Sequence, residues 1–220
     1  MPILLTIQLL LTLLVHQPME NKRTFLALGD SYTIGEAVNE NERWPSQFVQ
    51  QMNAAGKLFG TPEIIAKTGW TTDELQAAIA EKSPKGPYDL VSLLIGVNNQ
   101  YRGNSSEVYK KEFIELLDQA LAFAGNNPKH VVVVSIPDWG VTPFAEGRDL
   151  NKIASEIDHF NSISREVAAA NGVTYVDITA HSRTAAEDPE MVTTDNLHPS
   201  GKMYTYWSNR VFDAMKDQYQ

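Results

Sequence analysis

The sequence predicts one open α/β domain, a parallel sheet of about five strands covered by helices. Three observations predict this fold class. Short apolar, β-branched runs alternate with longer segments of helical spacing after residue 20. Two of the runs, Leu90–Ile95 and Val131–Val134, are almost continuously apolar, as strands buried on both faces are. The length of 220 residues fits one domain, and no repeat or linker divides the chain.

The predicted elements follow one another in a regular order. The strand-like runs are Thr24–Leu28, Glu63–Ala66, Asp89–Ile95, His130–Ile136 and Val173–Ile178. The helix-like segments are Pro45–Ala55, Thr72–Glu81, Glu107–Ala124, Leu150–Ala170 and Gly201–Met215. Thr71 and Glu74 have the spacing of a capping box, and GNNP at 125–128 is typical of a helix end. Right-handed crossovers between such strands place every strand-to-helix loop at one edge of the sheet, where ligands bind.

Composition and motif content exclude several classes of function. There are 18 Lys and Arg against 27 Asp and Glu, a net charge of −9 that no basic cluster interrupts. Nucleic acids and anionic lipid surfaces are therefore not expected partners. The chain has no cysteine, which excludes disulfides, thiol nucleophiles and Cys-ligated metals. Metal-binding His motifs and phosphate-binding glycine loops are also absent, so we expect no metal and no cofactor.

The first 18 residues form a separate apolar segment without Asp, Glu, Lys or Arg. The run Ile3–Val15 is too short to span a bilayer, which needs about 20 residues, but it suits the apolar core of a secretory leader. A start at Met19 and a helix packed on the domain are the alternatives. A leader would mean export to the periplasm or the medium, and a start at Met19 a cytoplasmic protein. In either case we expect the domain to span residues 19–220.

The residues that follow the predicted strands carry the groups that acyl transfer requires. GDSYTIGE at 29–36 follows the first strand, KTGW at 67–70 the second and GVNNQ at 96–100 the third. PDWG at 137–140 follows the fourth, and the stretch after the fifth ends in DNLHP at 195–199. A hydroxyl, amide donors, an acid and an imidazole would thus meet at one edge of the sheet.

Four of these motifs, in this order, resemble the blocks of the SGNH (GDSL-type) hydrolases, which are serine esterases and lipases. GDS at 29–31 is similar to the nucleophile block, and Gly69 to the glycine of block II. GVN at 96–98 is similar to the G-x-N of block III, and DNLH at 195–198 to the D-x-x-H of block V. The resemblance extends from about residue 24 to 215 and implies a flavodoxin-like three-layer α/β/α fold.

The chemistry and the resemblance suggest the same catalytic roles. Ser31 is the expected nucleophile, and it needs a base within hydrogen-bond reach. His198 is the expected base, because an imidazole can accept and return a proton near neutral pH. Asp195 would accept from the other ring nitrogen and fix the tautomer. The expected oxyanion donors are the backbone N–H groups of Ser31 and Gly69 and the side-chain amide of Asn98.

Two residues depart from the family pattern. Tyr32 stands where the family often has Leu, and Asn99 stands where it usually has Asp. The family's acid supports the loop, and an amide still forms hydrogen bonds. We therefore expect an altered rigidity of this loop but no loss of the oxyanion hole.

Aromatic residues in the edge loops indicate a substrate pocket. The expected pocket residues are Trp70, Tyr101 and Trp139, with Val141 and Phe144 nearby. Such a wall suits an acyl chain or an aromatic leaving group. Arg102 would bind an anionic head group or, as the commoner arrangement, form a surface salt bridge.

The function that these residues favour is hydrolysis of a carboxylic ester through an acyl-enzyme. Lysophospholipase and short-chain carboxylesterase are the expected subclasses, acting on a small-molecule, lipid or glycan ester. A thioesterase or a carbohydrate O-deacetylase would use the same residues. A non-catalytic α/β module that binds a ligand at this edge is the alternative from another class. The sequence leaves the oligomeric state open.

Overall fold

The computed structural model describes residues 21–219, so the apolar segment 1–18 lies outside the described residues. This part of the chain contains a five-stranded parallel sheet with the strand order β2-β1-β3-β4-β5. The strands are β1 (Phe25–Asp30), β2 (Glu63–Lys67), β3 (Leu90–Leu94), β4 (Val131–Val134) and β5 (Thr174–Val176). The predicted fold class is therefore confirmed.

Eight α-helices accompany the sheet within residues 21–219. They are α1 (Ser31–Ile34), α2 (Trp44–Ala54), α3 (Thr72–Lys82), α4 (Val97–Tyr101), α5 (Ser106–Phe123), α6 (Leu150–Ala170), α7 (Thr179–Ser182) and α8 (Gly201–Met215). The chain moves outward from β1 to β2 and then back across β1 to β3, β4 and β5. Since parallel crossovers are right-handed, this reversal places α2 on one face and α3, α5 and α6 on the other. The C-terminal α8 packs against α2, and α5 packs between α3 and α6.

The apolar core lies on both faces of the central strands. Every residue of β1 and β3 is buried, as the continuous apolar runs predict. On the α2 face, the Phe25 ring packs edge-on against Phe48 at 5.6 Å and lies 6.2 Å from Trp44. Each such large side chain contributes about 1.5–3 kcal/mol when fully buried. The core thus fixes the positions of the strands, and the carboxyl ends of these strands carry the functional residues.

The two ends of the described chain lie side by side. The Tyr219 hydroxyl donates to the Asp89 carbonyl at 2.8 Å, and its ring packs edge-on against Phe59 at 5.1 Å. The Arg23 guanidinium lies 5.7 Å from the centre of the same ring. The Lys57 ammonium donates to the Tyr219 carbonyl at 2.6 Å. These contacts fix the C-terminal residues beside the start of β1.

The strand β4 is shorter than the predicted run His130–Ile136. His130 belongs to a 3₁₀ turn that precedes the strand. Beyond Val134, the Ser135 hydroxyl accepts from the Ile178 N–H at 2.8 Å, and the Ile136 N–H donates to the Asn161 side chain at 2.9 Å. The Ser135 N–H still donates to the Val176 carbonyl of β5 at 3.0 Å. Side chains supply the other partners, so Ile136 is buried without belonging to the sheet.

Candidate active site

Ser31 lies where β1 changes directly into α1. The strand ends at Asp30 and the helix begins at Ser31, without an intervening loop residue. Asp30 caps the helix, because its Oδ1 accepts the Tyr32 N–H at 3.0 Å. The helix ends after one turn at Gly35, whose φ of 71° is left-handed. This sharp turn presents the hydroxyl of Ser31, which is only 4% exposed, at the carboxyl edge of the sheet.

His198 and Asp195 form a hydrogen-bonded pair in the segment before α8. Nδ1 of His198 lies 2.6 Å from Oδ2 of Asp195. Oδ1 of Asp195 accepts the backbone N–H groups of Leu197 and His198, each at 2.9 Å, and the Thr193 hydroxyl at 2.7 Å. The Thr193 N–H in turn donates to the His198 carbonyl at 2.8 Å. The segment is a closed loop that fixes both side chains. Nδ1 is occupied by Asp195, and Nε2 forms no hydrogen bond with any residue in 21–219.

The environment of Asp195 favours its ionised form. Partial burial alone would raise its pKa. The hydrogen bonds from the His198 backbone and ring, from Thr193 and from Leu197 outweigh burial and lower the pKa to about 2. Asp195 is therefore a carboxylate at neutral pH, able to stabilise a protonated imidazole at His198.

A cavity of about 150 Å³ brings the remaining predicted residues together. Ser31, Gly69, Asn98 and His198 line it, and so do the predicted pocket residues Tyr101 and Trp139. Asp195 lies behind His198. Phe144, expected near the pocket, also lines it, whereas Val141 does not. The other lining residues are Tyr32, Thr68, Val97 and Leu197. Trp70 is not among them, because its side chain packs against the hydrophobic core beside the N-terminus of α3.

Gly69 lies in a loop held by two side chains from the β3 end. It has a φ of 88°, a left-handed conformation that suits glycine. The Arg102 guanidinium donates to the Gly69 carbonyl at 2.6 Å and lies 3.2 Å from the Glu74 carboxylate. The side-chain amide of Asn98 donates to the Trp70 carbonyl at 3.0 Å, which leaves its second N–H unused. Arg102 thus forms the salt bridge, the commoner of its two predicted arrangements.

Asn99 connects the β3 end to the start of α3. Its side chain is completely buried. Oδ1 accepts the Thr72 N–H at 3.1 Å, and Nδ2 donates to the Thr72 hydroxyl at 2.7 Å. The Thr72 hydroxyl donates onward to the Glu112 carboxylate. Both halves of the amide are used, so Asn99 supports the loop at the position where the family usually has Asp.

The residues beneath the cavity are buried and partly unpaired. The Tyr32 ring packs 5.6 Å from the His198 ring and 6.1 Å from Trp207, so it backs the imidazole. Asp30 is fully buried, and its Oδ2 has no hydrogen-bond partner among residues 21–219. Burial raises the pKa of this carboxyl to about 7 in spite of the hydrogen bond from the Tyr32 N–H.

No three His, Asp or Glu side chains in residues 21–219 are grouped closely enough to hold a metal ion. No helix in the same part of the chain has the length and apolar character needed to cross a bilayer.

Sequence reasoning missed Arg148, which contacts three rings of the cavity wall. Its guanidinium lies 5.2, 5.1 and 5.4 Å from the ring centres of Tyr101, Trp139 and Phe144. Arg148 follows a 3₁₀ turn. It does not belong to the residues that directly follow a strand, which the sequence analysis selected as candidates. No sequence signal marked it, because its position depends on how the segment from 139 to 150 folds back.

Comparison with known proteins gives a consistent result. The model of the GDSL-like lipase/acylhydrolase family matches residues 27–206. A lipolytic protein of the G-D-S-L family from Veillonella parvula DSM 2008 is 15% identical, with a TM-score of 0.65 over 86% of this chain and 96% of that one. A lipase/acylhydrolase from Enterococcus faecalis is 20% identical, with a TM-score of 0.64 over 90% and 97%. Axe2, an acetylxylan esterase from Geobacillus stearothermophilus, is 17% identical, with a TM-score of 0.65 over 88% and 94%.

At these identities the structural likeness shows the fold. No curated protein matches the sequence significantly. The family match extends from the middle of β1 into α8 and includes Ser31, Gly69, Asn98, Asp195 and His198. The chain therefore belongs to the GDSL-like lipase/acylhydrolase family, a family of ester hydrolases.

Proposed function

We propose that this protein is a serine hydrolase that cleaves short-chain carboxylic esters through an acyl-enzyme. The observation that carries the proposal is one small cavity lined by a serine, by two oxyanion donors and by a histidine paired to a carboxylate. Each of these groups has a simpler structural role when taken alone, such as a helix cap or a turn. Acyl transfer is the chemistry that uses all of them together.

In the first half of the reaction Ser31 attacks the ester carbonyl. His198 takes the hydroxyl proton on Nε2, and Asp195 stabilises the imidazolium through Nδ1. The negative oxygen of the tetrahedral intermediate accepts from the N–H groups of Ser31 and Gly69 and from the free amide N–H of Asn98. When the bond to the alcohol breaks, His198 returns its proton to the leaving oxygen, and the acyl group stays on Ser31.

In the second half, water replaces the alcohol. His198 takes a proton from the water, which attacks the acyl carbonyl at the same oxyanion donors. The bond to Ser31 breaks, the proton moves from His198 to the serine oxygen, and a carboxylic acid leaves. Atoms and charge balance over the cycle, and no metal or cofactor takes part.

The volume of the cavity favours a short acyl group over a long one. About 150 Å³ is available beside Ser31, and a cavity of that size holds roughly a benzene-sized molecule. Sites for larger ligands commonly have roughly 300–1,000 Å³. We therefore favour the short-chain carboxylesterase subclass over the lysophospholipase subclass.

Hydrolysis of p-nitrophenyl esters from acetate to palmitate tests the proposal, with Ser31→Ala as the comparison. We expect the wild type to act best on acetate to butyrate and Ser31→Ala to lose this activity. Far-UV circular dichroism of both proteins controls for folding. A wild type without activity at any chain length, and unlabelled at Ser31 by a fluorophosphonate, would favour the non-catalytic ligand-binding module instead.

A second candidate within the same chemistry is removal of acetyl groups from a carbohydrate. The rings of Tyr101 and Phe144, 45% and 39% exposed, stand at the mouth of the cavity, and sugar rings stack on such surfaces. Axe2, with its similar fold, is an acetylxylan esterase. Release of acetate from acetylated xylo-oligosaccharides at a higher kcat/KM than from p-nitrophenyl acetate would select this candidate.

A further inference from the structure

A second cavity, larger than the first, adjoins the proposed active site. Its volume is about 870 Å³, which falls in the range of ligand sites. Three segments form its walls: the 3₁₀ turns at 139–145, the beginning of α6, and the stretch from 183 to 196. We call it the large groove. Its apolar lining residues include Val141, Pro143, Leu150, Ala185, Pro189 and Val192.

The two cavities are separated by one thin wall. The Phe144 N–H donates to the Asn196 carbonyl at 3.0 Å. The Phe144 side chain lines the small cavity, while its neighbours Pro143 and Ala145 line the large groove. Likewise Leu197 and His198 line the small cavity, while Thr193 and Asn196 line the groove. A molecule that reacts at Ser31 and is too large for the small cavity can therefore extend past Phe144 into the groove.

The position of His198 indicates which half of the ester extends into the groove. His198 must return its proton to the leaving oxygen, so this oxygen lies within hydrogen-bond reach of the imidazole. The same loop, residues 193–198, carries His198 on one side and forms a wall of the groove on the other. The alcohol part of the ester thus points along this loop, and the acyl part occupies the small cavity.

Arg148 lies where the two cavities meet. It lines the large groove, and its guanidinium packs about equally close to the three rings of Tyr101, Trp139 and Phe144. One guanidinium N–H donates to the Tyr101 hydroxyl at 3.2 Å. The Trp139 ring is itself fixed, since its indole N–H donates to the Gln100 side chain at 2.8 Å. The rings hold the cation in place while most of its donors stay unused.

Arg148 differs from the other two arginines around the site in having no acidic partner. Arg102 lies 3.2 Å from the Glu74 carboxylate, and Arg183 lies within 2.9 Å of carboxylates at Asp138 and Asp158. Within the described part of the chain, no carboxylate lies within 4.0 Å of the Arg148 guanidinium. In a protein of net charge −9, the average field repels anions, so an anion needs such a local cation to bind.

We propose that the alcohol part of the substrate carries a carboxylate, which Arg148 binds at the junction of the small cavity and the large groove. This inference rests on the proposed function. A planar guanidinium suits bidentate binding of a carboxylate. Tyr101, Trp139 and Phe144 line the small cavity and contact the guanidinium, so these rings set the substrate carboxylate apart from the ester oxygen. The substrate class is accordingly a short acyl ester whose alcohol part is a hydroxy acid.

A pair of matched esters tests the inference. 4-Acetoxybenzoate carries a carboxylate one ring away from the leaving oxygen, and 4-acetoxybenzamide is its neutral counterpart. The kcat and KM of both are measured for the wild type, Arg148→Gln, Arg148→Lys and Arg210→Gln. Arg210 is an exposed guanidinium on α8, so its variant makes the same change of net charge on another helix. For each variant, the kcat/KM of the benzoate ester is divided by that of the benzamide ester. Comparing this ratio between variants cancels the different chemical reactivity of the two esters.

We expect Arg148→Gln to raise KM for the benzoate ester roughly five- to tenfold and to leave the benzamide ester within about twofold. Arg148→Lys should keep part of the preference, and Arg210→Gln should keep all of it. Equal losses on both esters would overturn the inference, because Arg148 would then only support the ring wall. An unchanged ratio in Arg148→Gln would overturn it as well. If the wild type hydrolyses neither ester and Ser31 is not labelled by a fluorophosphonate, the proposed function fails, and the inference fails with it.

Discussion

Asn98 and Asn99 are neighbours in the chain with different surroundings. Asn98 lines the small cavity and keeps one amide N–H unused, whereas Asn99 is completely buried and uses both halves of its amide on Thr72. Asn98 is thus placed to donate to a substrate, whereas Asn99 stabilises the loop.

This difference predicts a separation of activity from stability. Asn98→Ala should lower kcat roughly 10²–10³-fold, the usual cost of one oxyanion donor, with a small change in Tm. Asn99→Ala should lower the free energy of unfolding by about 1–3 kcal/mol, because it leaves the buried Thr72 N–H without its partner. Kinetics with p-nitrophenyl acetate and urea unfolding of both variants measure the two effects. Equal losses of kcat in both variants would show that Asn98 is not the donor.

Asp30 predicts a pH dependence of stability. Its pKa is raised to about 7 in the folded protein by burial, against an ordinary value of 3.8. Between these values the carboxyl ionises in the unfolded chain but stays protonated in the fold, so unfolding becomes easier as pH rises. The loss in the free energy of unfolding grows from about pH 4 to pH 7 and is constant above pH 7. Asp30→Asn, which can still accept the Tyr32 N–H, should be more stable than the wild type at pH 8 and equal to it near pH 4.

Urea unfolding between pH 4 and pH 8 checks this expectation. Asp118→Asn, on the exposed side of α5, is the matched control for the change of one Asp to Asn. Stability curves for Asp30→Asn and the wild type that run parallel over the whole range would contradict the assigned cause.

At the scale of elements, the junction of β3 and α4 needs a residue without a side chain. Gly96 has a φ of 127°, and a Cβ there would lie 2.6 Å from Cε2 of Tyr109. The Tyr109 ring is buried between Phe113 and Phe160, so it has no room to move away. This contact fixes where α4 begins and hence where Asn98 lies.

Gly96→Ala should therefore cost more stability than a glycine substitution at positive φ alone. Gly172→Ala is the matched control, since Gly172 has a φ of 66° and no atom within 4 Å of an added Cβ. Both variants bear backbone strain of about 1–3 kcal/mol from a positive φ. The strain is larger in Gly96→Ala, because a φ of 127° lies farther from the αL minimum than 66° does, and this variant also adds a clash with the Tyr109 ring. We expect a lower urea midpoint and a lower kcat for Gly96→Ala. Equal midpoints would show that Tyr109 adapts.

The long elements could be predicted from the sequence, while the short ones could not. Leu150–Ala170 and Gly201–Met215 are observed with the predicted bounds, because several turns of helical spacing identify a helix. The one-turn helices α1, α4 and α7 were not predicted, since four or five residues contain no measurable period. Two of them nevertheless begin at or beside Ser31 and Asn98, so the precise placing of the site depends on elements that the sequence pattern leaves open.

At the scale of the whole molecule, most of the residues that line the small cavity could be predicted, because they directly follow a strand and therefore lie at one edge of the sheet. This prediction relies only on the order of strands and loops along the chain, which hydrophobic periodicity reveals. The large groove and Arg148 could not be found in that way. They depend on how the segments 139–150 and 183–196 pack against each other, and no pattern within either segment reports such packing.

Because the two ends of the described chain are neighbours, we expect the fold to tolerate a change in the linear order of its segments. A short linker from Tyr219 to Asn21 would close the backbone into a ring, because Arg23 already contacts the Tyr219 side chain. The turn at Gly125 and Asn126 between α5 and β4 is exposed and belongs to the edge opposite the active site. New termini opened there would give a circular permutant with the same sheet, in which the segment carrying His198 precedes the one carrying Ser31.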